Sequence, residues 1–140
     1  MKILLAVDGS AFTKKMLAYV TTHEELFTPA NDYTLFTVQP VLPPRARAAL
    51  GKDIVNSYYA EEVEKIIAPA SKFLARHNIL AKSQWKIGGA AESIAKMAET
   101  GKFDLIVMGS HGHGELVNLV MGSVATKVLA HCSVPVMLIR

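Results

Sequence analysis

Short apolar runs separated by segments of helical periodicity place this 140-residue chain in the α/β class, as a five-stranded parallel sheet with helices on both faces. Three observations carry that expectation. Four of the runs are apolar at nearly every position, as strands covered on both sides must be. The segments between them repeat apolar residues at three- and four-residue spacing. Strand and helix alternate throughout, which calls for right-handed crossovers between parallel neighbours.

The elements follow in order. Residues 3–7 (ILLAV) read as the first strand, and residues 10–22 as a helix opened by Ser10 as N-cap, with Met16, Leu17 and Val20 facing inward. Residues 33–38 (YTLFTV) form the second strand. A proline- and glycine-bearing stretch, residues 39–56, reads as a long loop. Residues 57–77 follow as a helix with Val63, Ile66, Ile67, Ala70, Phe73 and Leu74 on one stripe, kinked or split at Pro69. Residues 82–87 (KSQWKI) alternate and carry charge, so they read as an edge strand. Residues 90–100 make a short helix closed by Gly101, and residues 105–108 (LIVM) the fourth strand. The last helix covers 123–131, with Val124, Val128 and Leu129 inward, and the last strand runs from Val134 to Ile139. With no repeat, low-complexity tract or internal boundary, residues 1–140 read as a single domain.

Bulk properties narrow the function classes. At 51% hydrophobic and 19% charged residues, the chain has the material for a core and is not a disordered tail. The net charge of +3 is small and the basic residues are dispersed, which argues against nucleic acid as partner. One cysteine, Cys132, allows no internal disulfide and favours a reducing compartment. The N-terminal apolar run is too short for a signal peptide, and no run reaches the roughly 18 residues of a membrane span. A cytoplasmic protein, without a membrane partner, is expected.

The most informative stretch is MGSHGHGELVNLVMGSVATKVL, from Met108 to Leu129. It leaves a buried strand and ends in a helix. Gly109 and Gly112 are separated by two residues, nine more lead to Gly122, and Ser123 follows. Glycines let the backbone approach a ligand closely, and a helix N-terminus presents unpaired amides at the positive end of its dipole. Phosphate is the anion this arrangement suits. Two better-known phosphate motifs are absent. A P-loop needs Lys after its last glycine, whereas Gly122-Ser123 is followed by Val124. A dinucleotide fingerprint needs a third glycine where Val117 stands, and it belongs after the first strand. The pair His111 and His113 lacks an acidic or cysteine partner at a known spacing, so no metal site is expected from the protein alone.

The spacing G-2x-G-9x-G-[S/T] resembles that of the ATP-binding branch of the universal stress protein family. The flanking residues are similar too: VDGS after the first strand, MGSHG after the fourth, and GSVATKVLAHCSVPVMLIR to the end. The likeness spans essentially the whole chain. It implies sheet order 3-2-1-4-5, a Rossmann-like fold of the adenine nucleotide alpha hydrolase kind, and a site where the strand order reverses. By the same resemblance Ala6 and Val7 line the base pocket, and Asp8 sits near the ribose or a phosphate-bound Mg²⁺ or Mn²⁺. Val38 offers backbone groups to adenine. Met108, Gly109, His111 and Gly112 hold ribose and phosphates, and Gly122, Ser123 and Val124 complete the cradle. Many members carry Ser or Thr where Ala125 stands. The family also implies a homodimer paired through the last strand.

Binding ATP or another adenine nucleotide does not establish turnover. No Lys or Arg lies in the glycine loop, and the first cation beyond it, Lys127, is a turn inside the last helix. A regulatory nucleotide-binding protein of the stress response is therefore the leading reading, with no catalytic residue assigned. A slow ATPase or autophosphorylating enzyme using Ser110 or Ser123 is the first alternative, and an interaction module without nucleotide the second. Asp8 also has a structural reading as a helix cap, and Arg45 and Arg47 in the 39–56 stretch have one as a solvated surface or as a phosphate lid.

Overall fold

The computed structural model describes residues 1–114 and 120–140. The described elements run β1 (Lys2–Ala6), α1 (Ala11–Thr22), β2 (Asp32–Gln39), α2 (Pro44–Leu50), α3 (Lys52–Arg76), β3 (Ala81–Ile87), α4 (Ala90–Thr100), β4 (Leu105–Gly109), α5 (Ser123–His131) and β5 (Val136–Ile139). The strands pair in the order β3-β2-β1-β4-β5, all parallel. Register brings Leu5 opposite Leu35 and Val107, so the three central strands stack apolar residues in step.

The faces of the sheet are covered by different helices, and the alternation of side chains along the strands decides which residues serve which layer. Ile3, Leu5, Leu35 and Val107 pack with Met16, Val20, Ile67 and Leu74 of α1 and α3. Leu4, Phe36, Ile106 and Met108 pack with Ile94, Ala98 and Val128 of α4 and α5. The chain changes face after β3. That is why the interior of the sheet reads as continuous hydrophobicity rather than as alternation.

Several expectations are corrected in detail. Most of the 39–56 stretch is helical rather than loop, in residues 44–50 and 52–56. Pro44 opens α2, where its fixed φ is already helical and its missing amide has no partner to lose, and Arg-Ala-Arg-Ala-Ala-Leu are strong helix formers. Leu42 N–H donates to the Tyr59 hydroxyl at 2.8 Å, pinning the segment before α2 onto α3. Gly51, at φ +83°, turns the chain between the two helices, a conformation open chiefly to glycine. Helix α3 therefore starts five residues before the expected position, and it continues through Pro69 without a break in the helix.

At the other end, β5 starts at Val136 rather than Val134. Pro135 has no amide to give the ladder, although its carbonyl accepts from Ile106 N–H at 2.9 Å. Leu129 is exposed, whereas Val128 of the same helix is fully buried. Cys132, after α5, is half-buried, and burial foremost, with Glu99 nearby, pushes its thiol pKa up. Gly101 does close α4, but with φ −80°. Its lack of a Cβ matters because one would lie 2.6 Å from the Phe103 ring and 2.8 Å from Met97 O.

Glu99 ties the end of α4 to the approach to β5, accepting from Ser133 N–H and Ser133 Oγ–H, both at 2.7 Å. Those bonds hold its carboxyl pKa below the ordinary 4.5. A depressed carboxyl pKa adds stability above the unfolded value that is lost as pH falls through the folded one. The gap in urea midpoint between wild type and Glu99→Gln is therefore expected to be full above pH 4.5 and to close below it. A gap unchanged at acid pH would show that the charge contributes nothing. Among the described residues no helix is long and apolar enough to cross a membrane.

Candidate functional site

Strands β1, β2 and β4 lie side by side in the sheet, and the chain leaves β1 and β4 toward opposite faces. Such a reversal opens a crevice at the carboxyl ends of parallel strands. A cleft lies there, lined from β1, β2, β4 and the helices beside them.

Its walls differ in character. Ala6, Val7 and Phe36 from the central strands form an apolar wall with Val38 and Met108. Ala90 and Ile94 close it from α4, and Ala125 from α5. The remaining wall is Asp8, Thr13, the turn Gly109-Ser110-His111-Gly112, and Gly122 with Val124. An apolar slot thus opens toward Asp8 and the glycine turn.

Asp8 is braced rather than loose. Its Oδ1 accepts from Ser10 N–H at 2.9 Å and from Thr13 Oγ–H at 2.8 Å, while its own N–H donates to Thr13 Oγ1 at 3.0 Å. The N-cap of α1 is Ser10, whose side chain accepts from Thr13 N–H, so Asp8 does not cap that helix. The other oxygen, Oδ2, faces Gly112, where a Cβ would lie 2.9 Å from it. His113 Nε2 is 2.8 Å from Asp8 O, which pins the glycine turn against the end of β1. Thr13→Val removes two of these bonds, and each is worth about 1 kcal/mol net. The expected result is a lower urea midpoint together with weaker ligand binding at the cleft. An unchanged midpoint would show that Ser10 alone holds the carboxylate.

The glycine turn is closed at its base. Gly122 N–H donates to Ser110 O at 2.7 Å, and Ser110 N–H donates to Ile139 O at 2.8 Å. The Gly122 amide is therefore already committed. Donors for an anion come from the next turn, where the amides of Val124 and Ala125 precede Thr126, the first residue whose amide bonds back to Gly122 O. Helix α5 has no side-chain cap, so its first turn retains the amides of an open helix end. The buried Ser110 hydroxyl lies 2.8 Å from His111 Nδ1, and the His111 ring rests on Phe12 at 4.8 Å between centroids.

Of the residues singled out in the sequence, Ala6, Val7, Asp8, Val38, Met108, Gly109, His111, Gly112, Gly122 and Val124 meet in this one cleft. Ser123 is exposed and does not line it. Arg45 and Arg47 sit exposed on α2, away from its walls. Val117 and most of the nine-residue spacer before Gly122 lie outside the described residues. Sequence reading missed Thr13, Phe36, Ala90, Ile94 and Ser110 as lining residues. Ser110 lies within the motif and Thr13 five residues after Asp8, so local spacing held a signal for both. Ala90 and Ile94 reach the cleft only because α4 crosses to the second face, which no local pattern announces. Among the described residues, no three metal-ligating side chains cluster.

Comparison with known proteins gives this architecture its relatives. The family model described as "Universal stress protein family" matches residues 1–140. Universal stress protein Slr1230 of Synechocystis is 30% identical over 140 residues, covering 99% of this chain, and the chain spans 42% of that protein's length. Among solved structures, protein MJ0577 of Methanocaldococcus jannaschii superposes with a TM-score of 0.80 at 25% identity, covering 99% of this chain and 94% of that one. A universal stress protein family protein of Arabidopsis thaliana, solved with AMP bound, shares the fold, with a TM-score of 0.66 at 16% identity over 99% of this chain and 91% of its own.

Proposed function

The chain belongs to the universal stress protein family, and from that premise we propose that it is a nucleotide-binding regulatory protein holding ATP, or another adenine nucleotide, in the cleft at the ends of β1 and β4. The observation that carries the reading is the convergence of Asp8 with the glycine turn. Gly112 leaves room for one carboxylate oxygen, and Val124 and Ala125 from the first turn of α5 line the same space. Adenine fits the apolar slot between Val38 and Met108, with the backbone of Val38 for its edge and Ala6 and Val7 beneath it. Asp8 serves the ribose or a Mg²⁺ or Mn²⁺ ion carried in on the phosphates. His111, Gly109 and Gly112 take the sugar and first phosphate, and Val124 the outer phosphates, with Ser123 at the rim. The relative solved with AMP supports an adenine nucleotide as the ligand class.

Holding suits the site better than cleaving. None of the described residues lining the cleft is Lys or Arg, and phosphoryl transfer ordinarily recruits a cation to the departing charge. The Ser110 hydroxyl, 1% exposed and lying against His111, is poorly placed as a phosphate acceptor.

Calorimetric titration of Mg-ATP into nucleotide-stripped protein tests the reading. Micromolar binding, about 8 kcal/mol, is expected for wild type and a loss of at least tenfold for Gly122→Val. The valine has to be accommodated at a buried position whose amide closes the turn. Absence of binding to the wild type overturns the proposal. The family's dimer is proposed for this chain as well, through β5, an edge strand whose four residues are only half-buried and whose outer ladder is open to a second copy. A monomer in sedimentation analysis at micromolar concentration would sink it.

A further inference from the structure

A second recess lies outside the cleft, on the face of the sheet covered by α1 and α3. Its floor is apolar: Leu17 from α1, and Ile66, Pro69, Ala70 and Phe73 from α3. Its rim is basic, with Lys14 on one side and Lys65 and Arg76 on the other. Past Pro69 it continues into a shallower recess that adds Lys72. Among the described residues, no acidic side chain lines either part. Lys65 is held by Glu62 at 2.9 Å, but among the described residues Lys14, Lys72 and Arg76 form no ion pair.

We propose that this groove is a docking site for an acidic amphipathic helix of a partner protein. Three features select that occupant. The basic rim against an uncharged floor matches a helix with an apolar stripe and acidic flanks, the helix-in-groove mode of recognition. From Lys65 to Arg76 the groove follows α3 for eleven residues, about 16 Å at 1.5 Å each, which accommodates three turns. A second copy of this chain would bring the same positive rim to the contact, and like charges disfavour that pairing. A nucleic-acid backbone would satisfy the rim and leave the apolar floor without a counterpart.

The groove touches the nucleotide cleft at one residue. Thr13 lines both, and Gly9, next to Asp8, forms the end of the groove. The docking proposal does not depend on a bound nucleotide.

The probe is a synthetic helix of about 14 residues with leucines at i, i+3, i+4, i+7 and i+11 and glutamates flanking them. Its binding to the full chain is read by fluorescence anisotropy, and its location by amide chemical shifts. The expected result is saturable binding with shifts at Leu17, Ile66 and Phe73. Lys72→Glu/Arg76→Glu should weaken it about tenfold or more, equivalent to about 1.4 kcal/mol, while Lys96→Glu on α4 stays within about twofold. Circular dichroism checks that the double variant is folded. The proposal is overturned by no binding, by shifts confined elsewhere, or by equal affinity for an isomer with the leucine stripe scrambled. It is also overturned if the peptide fails while anionic phospholipid vesicles bind in a manner sensitive to Lys72 and Arg76, which would assign the groove to a membrane surface.

Discussion

Gly109→Val is expected to lower the unfolding free energy by about 1–3 kcal/mol, the usual cost of overpacking a rigid site. A Cβ on Gly109 would lie 2.6 Å from Phe12 Cβ and 3.1 and 3.2 Å from the Phe12 carbonyl carbon and oxygen. Those are atoms of α1 itself, so no side chain can swing aside. Relief requires α1 to shift from the carboxyl end of β4, and α1 contributes Met16 and Val20 to the core with no exposed surface. Valine's two further methyl groups enlarge the collision. Urea unfolding measures the effect, and a midpoint equal to that of wild type would show that α1 slides at little cost. The same shift would displace Thr13 and so loosen Asp8. Stability and ligand affinity are expected to fall together in this variant.

Gly112→Val is expected to separate them. Its Cβ would lie 2.9 Å from Asp8 Oδ2 and meets no other atom of the described residues within contact distance. The neighbour that must give way is a side chain, so the fold need not move and the urea midpoint should stay near that of wild type. The carboxylate, however, can turn away only by straining its bonds from Ser10 N–H and Thr13 Oγ–H. If Asp8 meets the nucleotide or its metal ion, titration of Mg-ATP should show at least a tenfold loss, about 1.4 kcal/mol. Retained affinity would place the ligand away from Asp8, even with Gly122 still required. The two glycines are three residues apart in one motif, yet the expected consequences differ because one opposes backbone and the other a carboxylate.

Much of this was legible in the chain. The apolar runs located β1, β2 and β4 to within one residue, because a strand covered on both faces has little freedom in composition, and alternation with charge located the exposed edge strand β3. The glycine spacing marked the turn after β4, where backbone must come close to something. Misreadings arose where one residue type carries two meanings. Pro44 punctuates a loop as readily as it opens a helix, and the ambiguity hid α2 and the first turn of α3. Leu129 fits the helical stripe of α5, yet it remains 45% exposed.

By itself, then, the sequence determined the alternation of elements, the parallel sheet and the position of the glycine turn after β4, since periodicity and steric allowance are local properties. Only the tertiary structure decided that Ala90 and Ile94 of α4 wall the same cleft as Asp8, that Ser110 rather than a ligand occupies the Gly122 amide, and that basic residues dispersed along the chain gather beside the α1–α3 groove. Each depends on which face of the sheet a crossover takes. That choice is made by the packing of whole helices against the sheet, and no short window of residues encodes it.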